Sequence, residues 1–182
     1  MHIYLRNGIA LACGFAVLTL AGCGMASEES LAANAEEYDA AQGLESLFGT
    51  QLTNAEGAEV DVAALDGKKI GIYFSAQWCP PCRTFTPLLV DAYNELRASD
   101  KPFEIVFVSS DRSADAMLEY MREYNMDWLA VPFDAEERGA LSQHYGVRGI
   151  PTFIVIDADG QTLSRDGRNQ ITRHGADAFE RW

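Results

Sequence analysis

Three long apolar runs stand out in the pattern of hydrophobic and polar positions along the chain. They occupy residues 70–74, 103–108 and 152–156, and polar or turn-forming residues bound each of them. Runs of this kind, too short for typical helices, predict strands that are buried on both faces. The run at 103–108 is largely apolar, which predicts a central strand.

Helical patterns fill the segments between these runs. The longest covers residues 80–98, begins with two prolines, and contains Pro87, which we expect to kink it. Ser113 is a suitable N-cap for a second helix, and Gly146 can end a third helix that begins near residue 136. The remaining predictions are a strand at 60–62 in an N-terminal hairpin, an extended piece at 128–131, a turn at 157–160 with a returning strand at 161–164, and a final helix at 176–182. This order predicts an α/β sheet with an antiparallel edge.

The first 22 residues have the pattern of an export signal. Arg6 provides a positive start, and residues 8–20 form an uncharged, mostly apolar run. This run is shorter than the ~20 residues of a membrane-spanning helix and matches the apolar core of a signal peptide. It leads into Leu-Ala-Gly-Cys at residues 20–23, which resembles a bacterial lipobox and implies cleavage before Cys23 and acylation of that cysteine. The alternative is an ordinary secretory signal in which Cys23 has no role.

An acidic, alanine-rich segment follows at residues 23–43. Its composition predicts a tether that holds a folded domain, residues 44–182, away from a membrane. Several acyl chains on one cysteine anchor a protein firmly, since each buried CH₂ contributes ~0.8 kcal/mol. Gly24, after the lipobox cysteine, resembles an outer-membrane rather than an inner-membrane address. We therefore expect a lipid-anchored protein of the bacterial cell envelope that faces the periplasm.

Composition and charge narrow the class of protein further. Of the 182 residues, 48% are hydrophobic and 23% are charged, which is typical of a globular domain. The formal net charge is −13, and no cluster of lysine or arginine offers a basic patch. Nucleic acid is therefore not an expected partner.

Cys79 and Cys82 are the candidate reactive pair. The strand at 70–74 leads to a cysteine at the start of a helix, where free N–H groups and the helix dipole stabilise a thiolate. In Cys-x-x-Cys motifs such placement lowers a cysteine pKa from ~8.5 to roughly 3.5–7.5. We predict that Cys79 is the nucleophile and that Cys82, one turn later, closes the disulfide.

A zinc site or a static disulfide is the alternative use of this pair. Zinc generally needs four ligands, and the sequence has neither a second Cys-x-x-Cys nor a His-x-x-x-His pattern. His144 and His174 are far apart in sequence, and His2 belongs to the leader. Arg83 stands where covalent haem attachment needs a histidine. We therefore expect no metal and no cofactor.

Five blocks of the sequence form a recognisable set. They are Tyr-Phe-Ser-Ala-Gln-Trp-Cys-Pro-Pro-Cys-Arg at 73–83, Phe-Thr-Pro at 85–87, Phe-Glu-Ile-Val-Phe-Val-Ser-Ser-Asp-Arg at 103–112, Trp-Leu-Ala-Val-Pro-Phe at 128–133 and Gly-Ile-Pro-Thr at 149–152. In this order they resemble the thioredoxin superfamily, and more narrowly its nucleoredoxins and tryparedoxins. The resemblance covers residues 44–170. It implies an α/β thioredoxin-like fold, with a central mixed sheet flanked by helices, an N-terminal hairpin extension and an inserted helix.

The same resemblance implies roles for residues around the cysteines. Pro151 should be cis and lie against the active-site disulfide, which leaves the backbone of Ile150 to pair with an extended substrate segment. Pro80, between the cysteines, should belong to the surface that receives the substrate. We expect Trp78 to form part of that surface, with packing in the core as the alternative.

The activity that the resemblance implies is thiol–disulfide exchange. The leading hypothesis is an extracytoplasmic, membrane-tethered oxidoreductase, monomeric, that mainly reduces protein disulfides. Its expected partners are protein disulfides and dithiols, together with a membrane protein that donates or accepts electrons. A thiol reductase for cytochrome c maturation, and a redox-sensing or binding module with the same fold, are the alternatives.

Four residues near the pair leave questions open. Tyr73 stands where thioredoxin has a buried aspartate, so the usual proton acceptor for Cys82 is missing. Water or Glu104 is the candidate replacement, although a charge at the start of a strand more often faces solvent. Arg83 and Arg148 either add positive potential near the site or are simply solvated.

Overall fold

The computed structural model describes residues 43–182, so the predicted leader, Cys23 and nearly all of the predicted tether lie outside the described residues. The strands are β1 (Gln51–Thr53), β2 (Glu59–Asp61), β3 (Lys69–Ser75), β4 (Phe103–Ser109), β5 (Leu129–Ala130), β6 (Thr152–Ile156) and β7 (Thr162–Ser164). The helices are α1 (Gly43–Phe48), α2 (Pro80–Ala98), α3 (Ala114–Glu123), α4 (Glu137–His144) and α5 (Gly167–His174). Two 3₁₀ segments cover Val62–Leu65 and Gly175–Arg181.

The seven strands of the described residues form one mixed sheet in the order β2-β1-β5-β4-β3-β6-β7. Strands β3, β4 and β5 run parallel to one another, and the other neighbouring pairs are antiparallel. The β3–β4 pairing extends from Lys69 with Phe103 to Ser75 with Ser109. The predicted mixed sheet, its N-terminal hairpin and the central place of β4 are confirmed.

Side chains on both faces of β3 and β4 are buried. Tyr73 and Phe107 belong to a hydrophobic cluster with residues of α2 and α3. Phe74 and Val108 belong to a second cluster, which includes residues of α1 and α4. Since successive side chains of a strand point to opposite faces, a strand covered on both faces needs a continuous apolar run. This explains why the two central strands appear as such runs in the sequence.

Gly71 allows close packing between β3 and the side chain of Phe153 on β6. A Cβ atom at position 71 would lie 2.3 Å from Cζ of Phe153 and 3.2 Å from Cζ of Phe103. Atoms do not approach as closely as the shorter of these distances, so a side chain here would displace the ring. The ring of Phe153 in turn packs near the rings of Tyr73 and Phe85, with centroids 6.3 and 6.4 Å away.

Local signals in the sequence set several helix ends as predicted. The side chain of Ser113 caps α3 by accepting a hydrogen bond from the Ala116 N–H at 3.1 Å. Gly146 follows α4 with a φ of 61°, the left-handed conformation that glycine adopts readily after a helix. Helix α2 spans the predicted residues and contains Pro87.

The final helix predicted at residues 176–182 is present in 3₁₀ form. Residues Gly175–Arg181 form a 3₁₀ segment, and the α-helix of this region is α5, which the sequence pattern did not indicate. Helix α5 is mostly polar, and its buried residues are Gly167 and Ile171. An apolar stripe of this size is too small to produce a helical period in the sequence.

Candidate active site

Cys79 occupies the N-cap of α2, in the short connection from β3. Pro80 and Pro81 fill the first two helical positions, where their missing N–H groups leave no helical hydrogen bond unmade. The first N–H of the helix therefore belongs to Cys82, and it lies 3.3 Å from the Cys79 sulfur. The two prolines thus leave a single donor, aimed at the sulfur that would carry negative charge as a thiolate.

The two cysteines form a disulfide, with their Cα atoms 5.2 Å apart. Cys82 is completely buried, whereas Cys79 keeps 3% of its surface exposed. A reagent from solvent therefore meets Cys79 first. The structure places the predicted nucleophile at the opening and the predicted resolving cysteine behind it.

The loop before β6 forms a wall beside the disulfide. The Ile150–Pro151 peptide bond is cis, as the resemblance implies. The Ile150 carbonyl oxygen lies 3.7 Å from Cys79 Sγ. The Ile150 side chain packs against the buried cluster that contains both cysteines. The Thr152 hydroxyl closes the turn by donating to the Gly149 carbonyl at 2.7 Å. Ile150 therefore reaches the site from 71 positions further along the chain.

Trp78 lies on the surface beside the disulfide. Its side chain is 56% exposed, so packing in the core, the alternative considered for it, is wrong. Its indole N–H donates to the Ser110 carbonyl oxygen at 3.0 Å, which fixes the orientation of the ring. An exposed ring held in one orientation is suited to receive a partner.

Asp111 was not among the predicted site residues, yet it holds the loop that precedes Cys79. One carboxylate oxygen accepts the Gln77 N–H at 2.8 Å, and the other accepts the Ser109 hydroxyl at 2.8 Å. Only 7% of Asp111 is exposed, and this burial raises the pKa of its carboxyl. A signal existed in the sequence, because a polar Ser-Ser-Asp follows a central strand parallel to the one that carries the cysteines, and parallel neighbours end at the same edge of a sheet.

A cluster of buried hydroxyl groups lies behind Cys82. Thr86 Oγ1 lies 2.9 Å from the Cys82 carbonyl, 2.8 Å from the Tyr73 hydroxyl and 2.6 Å from the Tyr120 hydroxyl. Since a threonine has one proton to give, it donates to the carbonyl and accepts from both tyrosines. Burial raises the pKa of Tyr73, so its phenol stays neutral. Tyr73 therefore ties β3 to α2 and does not replace a carboxylate as proton acceptor.

The proposed role of Glu104 as proton acceptor for Cys82 is wrong. Glu104 pairs in register with Ile70, five positions before β3 ends at Ser75. At ~3.3 Å per residue this separates it from the cysteine end of the sheet by roughly 16 Å. Its carboxylate accepts the Tyr93 hydroxyl at 2.6 Å instead. Of the two predicted acceptors, water remains.

Arg83 and Arg148 are both exposed, one in the first turn of α2 and the other two residues before Ile150. Among residues 43–182 there is no group of three or more His, Cys, Asp or Glu side chains that could hold a metal ion. No helix in this part of the chain is both long enough and apolar enough to cross a membrane.

The reactive pair and the frame that presents it define a class of protein, the thioredoxin-like oxidoreductases. The chain belongs to the thioredoxin-like family, whose model matches residues 67–162. This range starts just before β3 and ends at the first residue of β7, so it contains both cysteines and the cis proline. Relatives in this family, the nucleoredoxins and tryparedoxins, are thiol–disulfide oxidoreductases.

Individual relatives make the likeness more specific. Nucleoredoxin of Bos taurus is 44% identical over 121 residues, which cover 66% of this chain and 27% of the relative. Probable nucleoredoxin 1 of Arabidopsis thaliana is 47% identical over 143 residues, covering 76% of this chain and 24% of the relative. The chain thus spans about a quarter of the length of these curated relatives. The crystal structure of native tryparedoxin I from Crithidia fasciculata matches with a TM-score of 0.67 and 39% identity, covering 74% of this chain and 94% of that one.

Proposed function

We propose that this protein is an extracytoplasmic, membrane-tethered oxidoreductase that reduces disulfides in other proteins through Cys79 and Cys82. The observation that carries the reductase proposal is the position of Cys79. Its sulfur lies at a helix N-cap, 3.3 Å from the Cys82 N–H and 3.7 Å from the Ile150 carbonyl. A thiolate there is stabilised by a backbone donor and lies at an opening that a partner can reach.

The reaction consists of two exchange steps. The Cys79 thiolate attacks one sulfur of the substrate disulfide, which forms a mixed disulfide and releases the other substrate sulfur as a thiolate. The Cys82 thiol loses its proton to water, and its thiolate attacks Cys79 Sγ. This forms the Cys79–Cys82 disulfide and releases the second substrate thiolate. Two electrons pass from the pair to the substrate, and the released thiolates take up protons from solvent.

The surface around the pair suits an extended polypeptide as the substrate. The cis bond before Pro151 presents the backbone of Ile150 next to the disulfide, where a substrate strand can form main-chain hydrogen bonds. Trp78 and Pro80, both exposed, border the opening on the side of α2. A protein segment can therefore lie across the pair with its disulfide above Cys79.

The cellular setting rests on the N-terminal sequence. The export signal and Cys23 support a lipid anchor in a bacterial envelope, with the domain facing the periplasm. Oxidising conditions outside the cytoplasm would hold the pair in its disulfide form. A reductase there needs two electrons per cycle, which we assign to a membrane protein that carries a reactive dithiol. The domain acts as a monomer in this proposal.

A trapping experiment tests the proposed activity. In the full-length Cys82→Ser variant the first step proceeds and the second cannot, so we expect mixed disulfides between Cys79 and envelope proteins. These adducts should appear as bands on non-reducing gels that disappear on reduction. The wild type should also accelerate the reduction of insulin by dithiothreitol.

The matched control is Cys79→Ser, which removes the nucleophile and should give neither adducts nor insulin reduction. A wild type that does not reduce insulin, together with a Cys82→Ser variant that forms no adducts, would make the protein a binding or sensing module instead.

A further inference from the structure

A groove of about 410 Å³ lies beside Trp78 and opens to solvent. We call it the arginine groove. Its polar and aromatic lining consists of Gln77, Trp78, Arg83, Asp111, Arg112 and Glu123. Because Trp78 is the residue before Cys79, the groove is next to the reactive sulfur, and the Ile150 wall described above contacts that sulfur directly.

The two carboxylates of the arginine groove already have hydrogen-bond donors. Asp111 accepts the backbone N–H of Gln77 at 2.8 Å and lies buried in the floor. Glu123 accepts the side-chain amide of Gln77 at 2.9 Å. A single residue, Gln77, thus supplies a donor to both carboxylates, and neither depends on an arginine of the groove for a partner.

The two guanidinium groups of the groove have no such partner. Neither the Arg83 nor the Arg112 guanidinium donates a hydrogen bond to, or forms an ion pair with, any residue in the described range 43–182. The raised pKa of the Asp111 carboxyl agrees with this. Burial raises that pKa, the hydrogen bonds from Ser109 and Gln77 lower it, and no arginine contributes to lowering it. Two guanidinium groups therefore line the groove without direct contact to its two carboxylates.

The position of Arg83 has a cost that its own helix does not compensate. It lies in the first turn of α2, where the helix dipole disfavours a cation, and no acidic residue occurs in that turn. A residue that is unfavourable for its own helix, and that no nearby interaction compensates, is typical of functional positions.

We propose that the arginine groove is a substrate subsite, which binds a carboxylate side chain close to the cysteine that Cys79 attacks. Substrates with acidic residues beside their disulfide are then the preferred class. This inference rests on the proposed disulfide reductase function. In an extended chain a residue two positions from the attacked cysteine lies roughly 7 Å away, within reach of a groove that borders Trp78. Arginine is the residue best suited to bind a carboxylate, because its planar donors fit both oxygens.

Because the whole chain is acidic, the subsite attracts an acidic substrate only at short range. A formal net charge of −13 repels acidic partners at a distance. At ~0.15 M salt, charges more than ~8 Å apart are largely screened, whereas a contact between a carboxylate and a guanidinium persists. Discrimination between substrates should therefore be measured at that ionic strength.

Three peptide substrates test the subsite directly. They have equal length and one intramolecular disulfide, and the two residues on either side of the attacked cysteine are glutamate, glutamine or lysine. The full-length, reduced protein is mixed with each peptide, and kcat/KM is measured in the presence of dithiothreitol. Two exposed ion pairs predict that the glutamate peptide reacts roughly fivefold faster than the glutamine peptide, with the lysine peptide slowest.

The variants separate the subsite from effects on the cysteine itself. In Arg83→Gln/Arg112→Gln the ratio of glutamate to glutamine rates should fall to about one. Loss of Arg83 also changes the electrostatic potential at Cys79. That change affects the rate with every peptide equally, so it cancels in the ratio of the glutamate to the glutamine rate. The matched control is Arg122→Gln on α3, an exposed arginine outside the groove lining, and this variant should keep the wild-type ratio. Thermal unfolding of each variant checks that it is folded.

The peptide rates test the subsite and the reductase function separately. A wild type that reduces all three peptides at one rate, or a double variant that retains the preference for glutamate, overturns the subsite and leaves the reductase function intact. A wild type that reduces none of the three overturns the reductase function, and the subsite with it.

Discussion

Asp111 lies in the loop after β4, and hydrogen bonds join this loop to the one that precedes Cys79. The carboxylate of Asp111 fixes the Gln77 N–H, and the neighbouring Ser110 carbonyl fixes the Trp78 indole. Two adjacent residues on one loop thus hold two adjacent residues on another, immediately before the nucleophile. The loop after β4 therefore builds the proposed substrate surface as much as the cysteine motif does.

Asp111 should make stability depend on pH in a direction opposite to that of a salt-bridged aspartate. Burial raises the pKa of its carboxyl above the ordinary 3.8, so the folded protein holds the proton more tightly than the unfolded chain. Below 3.8 both states are protonated. As pH rises through the raised folded pKa, the buried site must accept a charge and stability is lost.

The Asp111→Asn variant isolates this effect because it keeps an oxygen to accept the Gln77 N–H and cannot ionise. We expect the free energy of unfolding of the wild type to fall relative to the variant as pH rises from below 3.8 towards neutrality. Urea titrations at a series of pH values measure the difference. A difference that stays constant, or that grows in favour of the wild type, contradicts the prediction.

Among the elements, β3 packs closely against Phe153 because residue 71 is a glycine. Gly71→Ala should destabilise the protein, since the new methyl group would lie 2.3 Å from the ring of Phe153. Overpacking of this kind typically costs ~1–3 kcal/mol in the free energy of unfolding. Chemical denaturation measures the change.

Gly139→Ala is the matched control for that substitution. Gly139 lies inside α4, and a Cβ there would meet no atom within 4 Å outside its own helix. Because alanine is the better helix former, this variant should be stabilised by ~0.5–1 kcal/mol. Two substitutions of the same chemistry should therefore change stability in opposite directions. A Gly71→Ala protein as stable as the wild type would show that the Phe153 ring can shift freely.

At the scale of elements, the sequence predicted what depends on local patterns. The apolar runs gave the central strands, and Ser113 and Gly146 marked helix ends that the structure has. Helix α5 was missed because its buried surface consists of little more than Ile171, and the last segment became a 3₁₀ helix rather than an α-helix. Few apolar contacts determine the backbone of α5, whereas Ala176, Ala178 and Phe179 of the last segment are buried in the core.

For the whole molecule, the anchor and the chemistry should be separable. Full-length Cys23→Ser, expressed in a bacterium, should lose incorporation of labelled palmitate and should no longer sediment with membranes. Its rate of insulin reduction should equal that of the wild type, since the cysteine pair, the cis proline and Trp78 lie within one folded unit.

The comparison needs both measurements on the same preparations. Palmitate labelling that persists in Cys23→Ser would place acylation elsewhere in the chain. A variant that stays in the membrane without labelling would show that something other than a lipid on this cysteine holds the protein there.

The sequence by itself determined the reactive pair, the fold class and the strands that carry the site. These follow from residues close together in the chain, namely a Cys-x-x-Cys at a helix start and apolar runs that bury both faces of a strand. Through its resemblance to the thioredoxin superfamily it also predicted that Ile150 and Pro151 lie beside the pair. It did not determine which residues of β4, and of the loop after β4, lie near the pair. Strand register carries Glu104 to the far end of the sheet, and the common edge of β3 and β4 brings Asp111 to the near end. The tertiary structure alone decides this, because strand ends and loops become neighbours only once the sheet has assembled.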